Sequence, residues 1–93
     1  MKYESVLLDI EIEEATALVK KRKRSFSSRT VQGNVEYVSQ TGHHLAELTE
    51  TVLPNGKPGT LLRYRTTLIS PTEAFAKQQA REIYDALSSY RYR

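Results

Sequence analysis

The sequence predicts an α+β fold of two layers, β-α-β-β-β-α, with a mainly antiparallel four-stranded sheet and both helices packed on one face. Two observations carry this expectation. Apolar residues recur every second position around Val6 to Ile12, Ala46 to Val52 and Leu62 to Leu68, the period of a strand with one buried face. Near the C-terminus Ala76, Ala80, Ile83, Leu87 and Tyr90 recur at spacings of four, three, four and three, the period of a helix.

The first strand is marked by Val6, Leu8, Ile10 and Ile12, with Ser5, Asp9 and Glu11 between them. Leu7 breaks the alternation, so partial cover is expected on the second face. From Glu13 the period changes, and Ala15, Leu18, Val19, Arg22 and Phe26 fall on one helical stripe. Acids at the start and cations at the end of this stripe suit the helix dipole. Its serine-rich exit and Gly33-Asn34 read as a loop, followed by a short strand through Val35 and Tyr37.

Two further strands flank Pro54-Asn55-Gly56-Lys57-Pro58-Gly59, a strong turn signal. Ala46, Leu48 and Val52 share one face of the first; Leu62, Tyr64, Thr66 and Leu68 share one face of the second. Placing Leu48 opposite Tyr64 joins these faces and sets Glu47 opposite Arg65 and Thr49 opposite Arg63. That parity needs an odd loop of three or five residues, rather than the two-residue loop that Asn-Gly usually makes. The other face carries Leu45, Glu47, Thr49, Thr51, Leu61, Arg63, Arg65 and Thr67, and is either solvated or a binding surface.

Ser70-Pro71-Thr72-Glu73 reads as the start of the last helix. Serine at the N-cap accepts from a first-turn N–H, proline follows at the first helical position, and Glu73 reaches back to the cap. Phe75, Tyr84 and Ala86 widen the apolar stripe for a helix lying on a sheet, while Lys77, Gln78, Arg81 and Asp85 face out. Fraying is expected beyond Tyr90. The element order is similar, in topology alone, to half of a TATA-binding-protein-like unit and to a much-shortened helix-grip domain; topology does not carry function.

Ninety-three residues, 39% apolar and 27% charged, make one small domain spanning 1–93. The absence of cysteine excludes disulfides, thiolate metal sites and a cysteine nucleophile, and fits a reducing, cytoplasmic setting. Met1-Lys2-Tyr3-Glu4 leads into a strand alternation, unlike a signal peptide. No stretch approaches the roughly 20 apolar residues of a membrane span.

Net charge is +3, unevenly spread. Up to Val19 there is one lysine against five acids, whereas Lys20 to Arg29 hold six cations and no acid. Clustered cations contact phosphates, so Lys20, Lys21, Lys23, Arg24 and Arg29, joined by Arg63 and Arg65 on the sheet, form the candidate nucleic-acid or phosphate site. The bland reading is a solvated helix end, with Arg22 packing its stem inward. The alternative ligand site is an apolar pocket between sheet and last helix, lined by Leu48, Leu62, Tyr64, Ile83 and Leu87.

Nothing points to catalysis. Glu13-Glu14 and Glu47-Glu50 are carboxylate pairs without a partner group, the serines lack a placed base, and no glycine-rich phosphate loop joins a strand to a helix. His43 and His44 are adjacent, so on a strand they point to opposite faces and cannot readily share an ion. No metal ligand set, catalytic residue or cofactor is therefore expected. The reading is a non-catalytic binding module whose partner is a nucleic acid or an acidic protein, with a homodimer as the expected assembly and no membrane.

Overall fold

Strand alternation at Val6 and Leu8 becomes β1 (Tyr3–Leu8), and the helical stripe from Ala15 becomes α1 (Ile12–Lys20). The hairpin β2 (Phe26–Val31) and β3 (Asn34–Ser39) follows, then β4 (His44–Val52), β5 (Pro58–Arg65) and α2 (Ala74–Leu87), which ends in a 3-10 turn over Ser88–Tyr90. This computed structural model describes residues 3–22, 26–39, 42, 44–66 and 74–92. Ser70 to Glu73, Thr67 and Leu68, Lys23 and Arg24, and His43 lie outside the described residues.

The sheet has five antiparallel strands in the order β1-β5-β4-β3-β2, one more than the sequence reading expected. The extra strand comes from the stretch read as the helix's last turn and its loop. A longer helix would place Lys20 over Arg24 at i,i+4, a like-charge pair, and would run into serines that favour other conformations. Instead α1 stops at Lys20, and Phe26–Val31 pairs with Asn34–Ser39 from Val31 opposite Asn34 onward. Gln32 and Gly33 both have positive φ, 52° and 84°, the requirement of a two-residue hairpin turn that matches the strand twist.

Each step across the sheet reverses direction, so β1 and β2 run the same way at opposite edges, and α1 carries the chain between them. Both helices cover one face. Ala15 and Val19 of α1 and Ala80, Ile83 and Leu87 of α2 meet Val6, Leu8, Tyr37, Leu48 and Leu62 in a single core. Fully buried Thr60 gives its hydroxyl proton to the Ile10 carbonyl at 2.8 Å, which ties β5 to the turn before α1.

The β4–β5 register differs from the expected one by two residues. Leu48 lies opposite Leu62, Glu47 opposite Arg63 and Thr49 opposite Leu61. Parity is kept, and the loop between Val52 and Pro58 has the odd length of five. The Leu53 N–H donates to Lys57 C=O at 2.8 Å, and Asn55 Oδ1 accepts from the Lys57 N–H at 3.0 Å. Leu53, not Val52, turns inward: Leu53 is 2% exposed and Val52 71%.

Other expectations change at the sheet's ends. Leu45 and Arg65 are buried, not exposed: a bulge at Tyr37/Val38 breaks strict alternation in β4, and Arg65 is covered at the end of β5, where Tyr3 of β1 pairs with it. Arg22 is exposed, since the helix has already ended. Tyr90 is also exposed, yet Arg91 and Tyr92 after it are held in place, not frayed. Arg91 bridges to Leu8, the Tyr90 carbonyl accepts from the Asp9 N–H at 2.7 Å, and the Tyr92 N–H donates to Leu7 C=O at 2.8 Å. These bonds cover part of the free edge of β1, where unpaired strand groups would otherwise invite another chain.

Candidate functional site

The cations named by the sequence do not share one surface. Lys20 and Lys21 are exposed at the end of α1, on the helical side. Arg29 and Arg63 project from the opposite face of the sheet, where Arg29 Nε lies 3.5 Å from Glu36 and Arg63 Nη1 lies 2.9 Å from Glu47. Arg65, at 2% exposure, offers almost no surface to an external phosphate, where the sequence led to the expectation of an exposed arginine. Lys23 and Arg24 lie outside the described residues.

The expected apolar pocket is packed core. Leu48, Leu62 and Leu87 are fully buried and Ile83 is 1% exposed, because these side chains fill the layer between sheet and α2. Beside that core, however, a cleft of about 610 Å³ opens where α2 passes the β1–β5 edge. Tyr64, the fifth residue of the expected pocket, lines it together with Glu4, Arg65, Thr66, Gln78, Arg81 and Tyr84.

Sequence periodicity explains how these groups converge. Glu4 precedes Val6 and Leu8 on the helix-facing side of β1, and its register partner is Tyr64 on β5. Gln78 and Arg81 stand on the exposed side of α2, with Tyr84 at the border of its buried stripe. The Tyr64 hydroxyl donates to Glu4 Oε2 at 2.9 Å, and its ring lies 4.7 Å from that of Tyr84 at a 31° tilt. Arg81 Nε sits 3.5 Å from Asp85, an exposed pair that leaves the guanidinium in reach of a ligand. The cleft thus offers an aromatic wall, a carboxylate and a guanidinium within one volume.

A second cluster occupies the opposite face. Glu36 on β3 lies directly across from Glu47 on β4. Strict alternation would put His44 on the face of Ala46 and Leu48, but the bulge turns it to the other side. Its Nε2 is 3.6 Å from Glu36 Oε1, and Tyr3 Oη is 3.1 Å from its Nδ1. Tyr3 reaches β4 across β5, with the Arg63 guanidinium 5.4 Å from its ring centroid.

Comparison with known proteins assigns neither surface. No family model, curated protein or solved structure matches this chain. No helix among the described residues is long and apolar enough to cross a membrane.

Sequence reasoning found Tyr64 of the cleft but missed Glu4, Gln78, Arg81 and Tyr84 as a group. The available signal was Glu4 two residues before Val6: a carboxylate on a strand's apolar stripe calls for a partner. It missed Glu36 with His44 and Glu47 because register, not spacing along the chain, brings them together.

Two phenols in the fold resist ionisation. Burial raises Tyr37 from 10.0 to about 12. Desolvation, then the hydrogen bond and charge of Glu4, raise Tyr64 to about 12. Between pH 10 and 12 the folded protein therefore holds protons that the unfolded chain has released, so stability falls as pH rises through that window. Alkaline titration of tyrosinate absorbance is expected to show two late phenols in the folded protein, and Tyr64→Phe to remove one of them. Two late phenols persisting in Tyr64→Phe would contradict the Tyr64–Glu4 geometry.

Proposed function

We propose that the chain is a small non-catalytic binding domain whose site is the cleft between α2 and the β1–β5 edge, and whose ligand is a small organic anion with a flat apolar body. The observation that carries this reading is the convergence of the Tyr64–Tyr84 pair, Glu4 and Arg81 on one cleft of about 610 Å³. Ligand pockets typically measure about 300–1,000 Å³ and combine apolar walls with a few placed polar groups. A planar ring would lie against the exposed parts of the two tyrosines, and Arg81 would take the anionic group through its forked donors. Glu4 is engaged by the Tyr64 hydroxyl, which fixes that ring and disfavours an anion at its end of the cleft.

The rival reading is nucleic acid at the end of α1. It is supported by the exposure of Lys20, Lys21 and Arg22 in consecutive positions. It is weakened by the pairing of Arg29 and Arg63 with glutamates on the other face and by the burial of Arg65. Fewer phosphate contacts mean weaker affinity with a flatter salt dependence.

The test is saturable binding of 2-naphthoate, an aromatic carboxylate without further functional groups. Arg81→Gln and Tyr84→Ala are expected to weaken it about tenfold or more each, a loss typical of a hydrogen bond to a charged group or of an aromatic contact. Lys21→Gln is expected to leave it unchanged. Equal affinity in the wild type, Arg81→Gln and Tyr84→Ala would overturn the cleft reading.

A further inference from the structure

We infer that the sheet face opposite the helices carries a divalent transition-metal site formed by Glu36, His44 and Glu47. One donor atom from each of these residues lies within 4.8 Å of the others. The set is one imidazole nitrogen and two carboxylate oxygens, a mixture suited to zinc and its neighbours; magnesium and calcium prefer oxygen alone. Three protein donors leave positions for water, as in open zinc sites.

Two features set this group apart from acids that merely share a surface. The first is the bulge between β3 and β4, which turns the imidazole away from the core and toward Glu36. Bulges commonly re-aim a side chain beside functional sites. The second is that each prospective ligand is already held by an outer partner from another strand. Tyr3 meets His44 at Nδ1, which leaves Nε2 directed at the cluster. Arg29 holds Glu36 by Oε2 while Oε1 faces the imidazole, and Arg63 holds Glu47 by Oε1. Orientation of ligands by such contacts is a regular property of metal centres.

Electrostatics supply the driving force. Glu36 and Glu47 are register partners, and like charges directly opposite on a sheet destabilise it. The two arginines offset that repulsion from the flanks, at side-chain exposures of 66% and 47%, where water screens them. A cation between the carboxylates would offset it at close range. Bonds of about 2.0–2.2 Å bring donor atoms to roughly 3–4 Å from one another, so closure asks about one ångström of movement from flexible glutamates. Side-chain exposures of 19% at both glutamates and 32% at His44 leave a path from solvent.

The experiment is titration of the full chain with zinc and with cobalt, following heat and cobalt absorbance. One equivalent is expected to bind. His44→Phe and Glu36→Gln are each expected to weaken binding more than tenfold, and Tyr3→Phe, an outer partner, about tenfold. Should His44→Phe fail to fold by circular dichroism, Glu47→Gln, which keeps shape and removes charge, takes its place with the same expected loss. His43→Gln is expected to bind as the wild type does. The inference is overturned by no uptake at millimolar zinc. It is equally overturned by uptake that survives in folded Glu36→Gln and Glu47→Gln but vanishes in His43→Gln, which marks an adventitious ion only.

Discussion

Leu87→Ala is expected to lower stability by about 2–5 kcal/mol, the range for truncating a buried leucine into a cavity that cannot collapse. Leu87 is fully buried, at 0% exposure, in one core with Leu8, Leu48, Leu62 and Ile83. It is also the last residue of α2, just before the 3-10 turn whose Tyr90 carbonyl accepts from Asp9. Its loss therefore loosens both the helix and the segment that covers the edge of β1. For a domain of this size about 1 kcal/mol shifts the melting temperature by about 4–8 °C, so the drop should be plain in a thermal melt. Lys21→Ala, at an exposed position, should stay within about 0.5 kcal/mol of the wild type. Equal melting temperatures for the two variants would mean that α2 does not dock as described.

Gly59→Ala is expected to be nearly as damaging, for the opposite reason. A methyl group there would stand 2.6 Å from Leu53 Cγ and Cδ2 and 2.8 Å from the Leu8 carbonyl oxygen. Overfilling a packed site costs about 1–3 kcal/mol. Trimming Leu53 relieves only half the conflict, since the other contact is backbone on β1, the strand beside β5. The double variant Gly59→Ala, Leu53→Ala should thus remain less stable than Leu53→Ala alone. Urea denaturation of the four proteins reads this directly, and a double variant as stable as Leu53→Ala would contradict the close approach of β1 to Gly59.

The α+β class, helix cover on one sheet face and the odd hairpin loop were legible in the sequence because each follows from a period: two for strands, 3.6 for helices. The β4–β5 register was not. A shift of two residues keeps every side chain on its own face, so alternation cannot separate Leu48–Tyr64 from Leu48–Leu62. Close packing of Leu53 over Gly59 can, and that contact is invisible before the strands are paired. Phe26–Val31 was misread because its two serines, Arg29 and Thr30 carry little apolar period. The decisive element there is the Gln32-Gly33 turn, in which a non-glycine residue takes positive φ.

The candidate site divides along the same line. Tyr64 was legible from its place on an apolar stripe, whereas its partners come from β1 and α2, whose juxtaposition is tertiary. Arg65 shows the limit of reading charge as exposure: its position alternates outward, yet at the end of β5 it is covered. His44 shows the limit of reading alternation through a bulge, since one extra residue reverses the face it serves.

Amide shift mapping of the folded chain with 2-naphthoate, followed by a short single-stranded DNA in the same sample, tests the binding-cleft reading most directly. Saturable shifts are expected at Glu4, Tyr64, Gln78, Arg81 and Tyr84 on adding naphthoate, with DNA shifting those signals little. Shifts confined to Lys20, Lys21 and Arg22 on adding DNA, with the cleft silent toward naphthoate, would contradict that reading and place function at the end of α1.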